Sequence, residues 1–248
     1  MSKIRKTKTV LKRQEKSYFE CLYQEVDSYD AETFQLIINK CKQPKLVIEI
    51  GCGSGAWTAH LAKLGGHVIG LDLSLVLAKK THKRLKLLNC EAVIGDAEFL
   101  PFKDRVADYC FFFFSLHHIP DLYQAIIEAT RCLKDDGWLI MVEPNGLNFL
   151  LTLTAHITST LKLINKAGMT SPAERPLNMI EIMQMFSKLG FKCQVLPCYA
   201  TLRKKSQETK SSLQTRIYWL ILKISTSIFP KIFGTSDFIL FAEKSKRE

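Results

Sequence analysis

The eight cysteines of this 248-residue chain contain no C-x-x-C pair and follow no regular spacing. Closely paired cysteines are typical of structural zinc sites, and regularly placed ones in a short secreted chain indicate a disulfide framework. The pattern argues against both. Cys52, Cys110 and Cys132 fall inside predicted strands, turns and helices. We therefore expect them to be buried, unreactive thiols in a reducing compartment.

The chain also has little that would direct it into or across a membrane. Its N-terminus is charged but lacks the apolar region of a secretory signal, so we expect a cytoplasmic protein. A membrane span needs about 20 apolar residues, whereas the apolar stretch 217–222 is soon interrupted by Lys223, Pro230 and Lys231. We expect this segment to pack as a lid helix or to lie in a membrane interface with Trp219 at headgroup level, and the two are compatible.

Acidic residues are scarce relative to basic ones. Asp and Glu number 24 against 35 Lys and Arg, which gives a net charge of +11. The excess lies in residues 3–16, 203–216 and 244–247. Such clusters are solvated tails and loops in many proteins, but they also suit an anionic membrane surface or RNA. The chain has no separate nucleic-acid-binding motif, so we do not expect a nucleic-acid partner.

The most informative pattern present is V-I-E-I-G-C-G-S-G at residues 47–55. It predicts a buried strand that ends in a tight glycine turn and opens a helix at residues 56–64. Glycine lacks a Cβ, so a ligand can lie against the backbone, and the helix start offers unpaired N–H groups. The same residues also fit a dinucleotide fingerprint, in which Asp72 would be the acidic ribose partner.

Three acids favour a different ligand. Glu49 lies in the first predicted strand, where its carboxylate suits a cationic or amine-bearing group and would oppose a pyrophosphate. Asp72 ends the second predicted strand and is placed to accept two ribose hydroxyls. Asp96 ends the third and is placed to take the exocyclic amine of an adenine.

Three successive strands ending in E-x-G-x-G-x-G, Asp and Asp resemble the class I S-adenosylmethionine-dependent methyltransferases. Later segments resemble that fold as well: 107–114 its fourth strand, 115–121 the following loop, and 131–143 the turn into its fifth strand. Within the class, the chain is similar to the ubiquinone/menaquinone-biosynthesis-like (methyltransferase type 11) small-molecule enzymes. The resemblance covers about residues 45–145 and continues more faintly towards the C-terminus.

The resemblance implies an α/β, Rossmann-like doubly wound sheet with strand order 3-2-1-4-5-7-6 and strand 7 antiparallel. It predicts one methyltransferase domain, 15–248, behind a basic flexible tail, 1–14. Within the domain we expect an N-terminal helical cap at 15–42 and a cofactor-binding core at 45–145. Helical insertions are predicted after strand 5, at 146–177, and between strands 6 and 7, at 200–235.

The resemblance also implies the cofactor, S-adenosyl-L-methionine, and the residues that bind it. Phe112 would offer its backbone carbonyl to the methionyl amine. No metal is expected. The expected cofactor-binding residues are Glu49, Gly51, Cys52, Gly53, Gly55, Asp72, Leu73, Asp96, Ala97 and Phe112.

The candidate catalytic residues are His117 and His118, in the loop after the fourth strand. Histidine suits a general base, since its unperturbed pKa lies near 6.5. Adjacent side chains cannot both point the same way, so we expect His117 to be the base and His118 to fix the loop. The alternative, that neither is a base, stays open. Glu143 is expected to hydrogen-bond with the loop 144–146 rather than to touch the acceptor.

These features predict methyl transfer to a small, lipophilic acceptor, at oxygen or carbon. An Asn/Asp-Pro-Pro-Tyr/Phe motif is missing after the fourth strand, which argues against methylation of exocyclic amines. A Pro-Cys pair is missing there too, which argues against a cysteine-nucleophile pyrimidine enzyme. The alternatives are an RNA or protein methyltransferase, suggested by the basic clusters, and a cofactor-binding protein without turnover.

Overall fold

The computed structural model describes residues 3–22, 30–148, 153, 175, 177–198, 220, 224, 227 and 235–245, with side chains from Thr7 onward. Most of the two predicted helical insertions, 146–177 and 200–235, lies outside these residues and stays a prediction. In the described part of the chain, no helix is both long enough and apolar enough to cross a membrane.

Seven strands alternate with helices along the described chain. The strands are β1 (Leu46–Ile50), β2 (His67–Asp72), β3 (Cys90–Ile94), β4 (Ala107–Phe113), β5 (Leu133–Pro144), β6 (Phe191–Cys198) and β7 (Asp237–Lys244). The helices are α1 (Lys3–Leu22), α2 (Ala31–Ile38), α3 (Ala56–Leu61), α4 (Leu75–Leu85), α5 (Leu122–Cys132) and α6 (Met179–Lys188), with 3-10 turns at Ala62–Leu64 and Leu116–His118.

The strands form one sheet in the order β3-β2-β1-β4-β5-β7-β6. Strands β1 to β5 run parallel to one another, and β7 is antiparallel to both β5 and β6. The predicted fold class is therefore confirmed. In this register Ile50 pairs with Leu71 and Asp72 pairs with Ile94. The carboxyl ends of β1, β2 and β3, which carry the three acids, thus meet at one edge of the sheet.

Apart from Asp108 near its start, the central strand β4 is mostly apolar, as expected where both faces of the sheet are covered. Phe112 is fully buried on one face, in the core that includes Ile126 of α5. Phe113 lies on the other face, where its ring stacks on Trp57 of α3 with ring centroids 4.3 Å apart. This packing fixes the end of β4, and with it the loop that carries the candidate histidines.

Polar side chains mark the starts of the helices. Ser74 caps α4 by accepting the amide of Leu77. Asn178 caps α6 by accepting the amides of Ile180 and Glu181. Such caps satisfy N–H groups that have no partner inside the helix.

The sequence predicts a basic flexible tail at residues 1–14, whereas residues 3–14 belong to α1. Two basic side chains of this helix pair with carboxylates on the body of the protein. Lys8 pairs with Asp121, and Lys12 pairs with Asp96 and Glu98. A basic helix that would be solvated on its own is thus held across the carboxyl edge of the sheet.

Candidate active site

The glycine turn follows β1 directly. Gly51, Gly53 and Gly55 have φ angles of 76°, 56° and 77°, in the left-handed region that favours glycine. The amides of Gly51 and Cys52 donate to the carbonyl of Leu71, at 2.8 and 3.0 Å. These bonds tie the turn to the end of β2.

Two of these glycines make room for protein atoms. A Cβ at position 51 would lie 2.5 Å from the Cβ of Ser115, and one at position 55 would lie 2.6 Å from a methyl group of Thr81. The sequence suggested that the glycines leave space for a ligand. The structure shows instead that Gly51 leaves room for Ser115, in the loop after β4, and that Gly55 leaves room for Thr81 of α4. The glycine turn therefore contacts the loop that carries the candidate histidines.

The carboxylate of Asp72, at the end of β2, contacts the glycine turn. One carboxylate oxygen accepts the amide of Gly53 at 2.9 Å, and the other accepts the amide of Ser74 at 2.9 Å. Burial raises the pKa of Asp72 to about 6. Leu73 follows it, half-buried. Each carboxylate oxygen keeps a lone pair with which to accept a ribose hydroxyl.

Glu49 is buried in β1, with 1% of its surface exposed. Its carboxylate accepts the hydroxyl of Thr58 at 2.5 Å. Burial, reinforced by the charge of Asp72, raises the pKa of Glu49 to about 8. A cation beside this carboxyl would favour its ionised form. The buried thiol of Cys52 has a pKa raised well above its ordinary value by burial, so it is unreactive.

The turn also contains a buried hydroxyl that is available to a ligand. Ser54 is 2% exposed, and its Oγ has no hydrogen-bond partner within the described part of the chain. Buried polar groups are generally hydrogen-bonded. Together with the free lone pairs of Asp72, this hydroxyl makes the turn fit a ligand that has both polar and cationic groups.

Asp96 is shared with the N-terminal helix. Lys12 Nζ lies 2.6 Å from Asp96 and 2.7 Å from Glu98. Burial alone would lower the pKa of Lys12, but its hydrogen bonds with these two acids raise it above the ordinary value. The neighbouring Ala97 is half-buried against the core. The role of Lys12 was not predicted from the sequence. Residues 8, 12, 15 and 19 recur at helical spacing, and this pattern indicates that one face of α1 packs against the rest of the protein.

The loop after β4 begins with a strained residue. Phe114 has φ = 51°, which is uncommon for a bulky side chain, and its amide donates to the carbonyl of Val142 at 2.8 Å. Ser115 then donates its hydroxyl to the carbonyl of Ile50 at 2.7 Å. Strain of this kind persists only where the surroundings enforce it, and it clusters at functional sites.

His117 and Glu143 form a buried pair. His117 Nδ1 lies 2.5 Å from one carboxylate oxygen of Glu143, with exposures of 5% and 0% for the two residues. The other oxygen accepts the amides of Ser115 and Leu116, at 3.0 and 2.9 Å. The prediction that Glu143 hydrogen-bonds with the loop 144–146 is therefore wrong. Because β4 and β5 are parallel neighbours, the end of β5 faces the loop that follows β4.

His118 lies under α1. The ring of Phe19 packs edge-on against it, with centroids 4.9 Å apart, and Glu15 lies 3.9 Å from its Nδ1. Burial, together with the neighbouring His117, lowers the pKa of His118 to about 2. A base with so low a pKa takes up a proton poorly near neutral pH. The geometry therefore favours His117 over His118 as the proton acceptor.

Arg175 clamps the same loop from outside. Its amide donates to the carbonyl of His117 at 3.2 Å, and its Nη2 donates to the carbonyls of Ile119 and Pro120, at 3.2 and 3.3 Å. Sequence reasoning missed this residue, since nothing in its local pattern points to the loop. Among the described residues, no group of three or more His, Cys, Asp or Glu side chains is placed to hold a metal ion.

The strand order, the glycine turn and the acids at the ends of β1, β2 and β3 define a class I S-adenosylmethionine-dependent methyltransferase domain. Residues 48–141 match the family model described as a methyltransferase domain. The cofactor of this domain is S-adenosylmethionine.

The chain is also similar to curated proteins, one of which is named a methyltransferase. The chain is 28% identical over 194 residues to the demethylmenaquinone methyltransferase of Bacillus cereus. The alignment covers 71% of this chain and 81% of that enzyme. The chain is 35% identical over 111 residues to an uncharacterized protein of Methanocaldococcus jannaschii, covering 45% of this chain and only 41% of that protein. The latter similarity thus spans less than half of its relative.

Solved structures share the fold. The geranyl diphosphate C-methyltransferase of Streptomyces coelicolor, solved with Mg²⁺, geranyl diphosphate and S-adenosyl-L-homocysteine, superposes with a TM-score of 0.63 at 16% identity. The match covers 86% of this chain and 77% of that one. At such low identity it shows the fold alone.

Proposed function

We propose that this protein transfers the methyl group of S-adenosylmethionine to a small, lipophilic acceptor, at oxygen or carbon, with His117 as the general base. The bound cofactor supplies an electrophilic methyl group on a sulfonium. The chain must then hold the acceptor beside that group, exclude water and take up the acceptor's proton.

The observation that carries the proposal is the pair of His117 and Glu143. A carboxylate that accepts a proton from Nδ1 leaves Nε2 with its lone pair, so that Nε2 can take a proton. The pair stabilises the imidazolium that forms. The acceptor's proton therefore passes to Nε2 of His117. Glu143 contributes by fixing the tautomer and the orientation of the ring.

We assign cofactor binding to the edge formed by β1, β2 and β3. Asp72 would accept the ribose hydroxyls, and Asp96 the adenine amine. Glu49 would compensate the methionyl ammonium, with the backbone carbonyl of Phe112 as a second acceptor for that amine. Gly51, Cys52, Gly53 and Gly55 would line the turn, with Leu73 and Ala97 beside the ribose and adenine.

A lipophilic acceptor is supported by the names of two similar proteins. One is a demethylmenaquinone methyltransferase and the other a geranyl diphosphate C-methyltransferase. Both names denote acceptors with long apolar chains. The apolar segments 146–170 and 213–233 of this sequence suit such an acceptor, although most of these residues lie outside the described part.

A peripheral contact with an anionic membrane belongs to the same proposal. In the segment between β6 and β7, Leu220 and Ile224 are helical, four residues apart, and 58% and 43% exposed. Residues four apart lie on one face of a helix. Exposed aliphatic side chains on one helical face, with basic residues before and after them in the sequence, suit an interfacial helix.

The test is a turnover assay with radiolabelled S-adenosylmethionine against a panel of lipophilic quinols, phenols and isoprenoids, with RNA and peptides beside them. We expect transfer to one or more lipophilic acceptors. His117→Ala should lower turnover by about 10²–10⁴-fold, the usual contribution of a general base. His67→Ala is the matched control, since His67 lies at the amino end of β2, at the opposite end of that strand from Asp72.

Three results would contradict the proposal. Transfer to RNA or peptide but to no lipophilic compound would place the acceptor in another class. Cofactor binding without turnover on any compound would indicate a binding protein. Equal turnover by His117→Ala and the unsubstituted protein would remove the histidine from the mechanism and leave alignment alone.

A further inference from the structure

One face of α4 is unusual in its combination of charge and apolar exposure. The helix packs on the sheet through Leu77, Ala78 and Leu85, which are buried. The side chains on its other side, and in the turn that follows, are exposed. This surface, which we call the α4 face, consists of Leu75, Val76, Lys79, His82, Lys83, Lys86 and Leu87.

The charge of the α4 face has one sign. No Asp or Glu occurs between Asp72 and Glu91. Lys79, Lys83 and Lys86 make no ion pair with any residue that the structure describes. Their spacing of four and three residues places the ammonium groups in a row along one side of the helix.

Aliphatic side chains lie at both ends of this row. Leu75 and Val76, in the first turn, are 44% and 43% exposed, and Leu87 is 98% exposed in the turn after the helix. A single exposed leucine is ordinary. A cationic row with branched aliphatic side chains at both ends is the composition of an interfacial helix. The face has no Phe, Tyr or Trp on which a nucleic-acid base could stack, and His82 is its one ring.

We propose that the α4 face docks on an anionic phospholipid surface. The lysines would lie among the phosphates and Leu87 would enter the boundary between headgroups and acyl chains. Because α4 begins three residues after Asp72, its Leu75 end adjoins the glycine turn. Docking would therefore bring the cofactor edge of the sheet to the membrane. The proposal needs no particular acceptor, so it stands or falls separately from the activity.

The test is flotation with vesicles of phosphatidylglycerol and phosphatidylcholine, compared with phosphatidylcholine alone. Binding should require phosphatidylglycerol and weaken with salt. In the variant K79Q/K83Q/K86Q, binding should be about 10²-fold weaker, since each basic residue near such a surface contributes about fivefold. The matched control is K103Q/K188Q/K192Q, which removes the same charge from exposed lysines elsewhere. Leu87→Ser should weaken binding more than Leu189→Ser, whose leucine is 42% exposed on another surface.

The side chains substituted in the two triple variants and at Leu87 and Leu189 are exposed, so we expect these variants to fold. Melting curves and cofactor binding check this. Equal losses in the two triple variants would overturn the proposal, because net charge alone would then explain the binding. Unchanged binding by the α4 variant would overturn it too, with Trp219→Ser and Leu220→Ser then showing whether the segment between β6 and β7 is the membrane contact. Salt-sensitive binding to an RNA oligonucleotide but not to the vesicles would assign the face to nucleic acid.

Discussion

Nδ1 of His117, in the loop after β4, lies 2.5 Å from a carboxylate oxygen of Glu143, in β5. Both residues are almost wholly buried. The same carboxylate holds the amides of Ser115 and Leu116. Glu143 therefore sets both the path of the loop and the orientation of the imidazole. Its position ties two adjacent strands of the sheet to the residue proposed to take the acceptor's proton.

Glu143→Gln should lower kcat by about 10²-fold, because an amide can orient the ring but cannot stabilise the imidazolium. The dissociation constant of the cofactor should change by less than about threefold, since Glu143 acts through His117. The loss should be non-additive with His117→Ala in the double variant, because the two residues act as a unit. Additive losses would show that Glu143 supports the loop independently of the histidine.

Asp72→Ala should weaken cofactor binding by about tenfold or more, at about 1.4 kcal/mol per decade. The carboxylate is placed to accept the ribose hydroxyls and already fixes the amide of Gly53. Calorimetry and the rise in melting temperature on adding S-adenosylmethionine both measure this. Asp104→Asn is the control, because Asp104 pairs with Arg131 on the surface. A melting temperature raised by NADH and not by the sulfonium cofactor would contradict the assignment.

Cofactor binding near neutral pH should release a proton from Glu49. Its pKa is about 8 in the folded protein against an ordinary value of 4.5, so the folded state binds a proton that the unfolded chain has lost. The stability of the cofactor-free protein should therefore fall as the pH rises from about 4.5 to about 8. A bound ammonium group favours the carboxylate, so the proton leaves on binding.

Titration calorimetry at about pH 7, in two buffers of different ionisation enthalpy, counts the protons released on binding. Glu49→Gln should abolish the release. Equal heats in both buffers with the unsubstituted protein would show that no proton leaves, and that Glu49 does not lie beside a cationic group of the cofactor.

Gly51→Ala and Gly190→Ala should differ in stability although both have positive φ angles, 76° and 81°. A Cβ at position 190 meets nothing within 4 Å, so only the strain of the left-handed conformation, about 1 kcal/mol, is added. At position 51 the Cβ would clash with Ser115 at 2.5 Å, and we expect a loss of about 2 kcal/mol or more. Urea unfolding measures both. Equal losses would mean that the loop at Ser115 moves aside freely.

Lys12→Met should loosen α1 without unfolding the sheet. The substitution removes the pairs with Asp96 and Glu98, and we expect the free energy of local opening to fall by about 1 kcal/mol. Amide exchange across residues 7–20 should then rise about fivefold. Lys40→Met is the control, since Lys40 donates to Gln194 at the other side of the molecule. Unchanged exchange would show that α1 is held by its other contacts.

Much of the fold was predictable because its signals are local. The strand-turn-helix pattern at Glu49 and Gly51 reflects the backbone conformations that a buried strand and a glycine turn require. Asp72 and Asp96 each follow a predicted strand, and the strand order implied by the family resemblance places these strands on one side of β1. The cap at Asn178 is likewise a property of a few neighbouring residues.

The contacts that were missed join residues far apart in the chain. His117 and Glu143 are separated by 26 positions, and Lys12 and Asp96 by 84. Glu143 was expected to bond to its own following loop, since pattern analysis favours sequence neighbours. Lys12 was placed in a flexible tail because a basic segment has no local reason to fold.

By itself, the sequence indicated the strands, the glycine turn and the acids that follow the strands, because hydrophobic period and turn chemistry act over short distances. The order of the strands was implied by the family resemblance. Only the tertiary structure decided which histidine is oriented by a carboxylate, and that α1 covers Asp96. Those choices depend on which strands are neighbours and on how a basic helix compensates buried acids. Both are set by packing across the whole sheet rather than by any single segment.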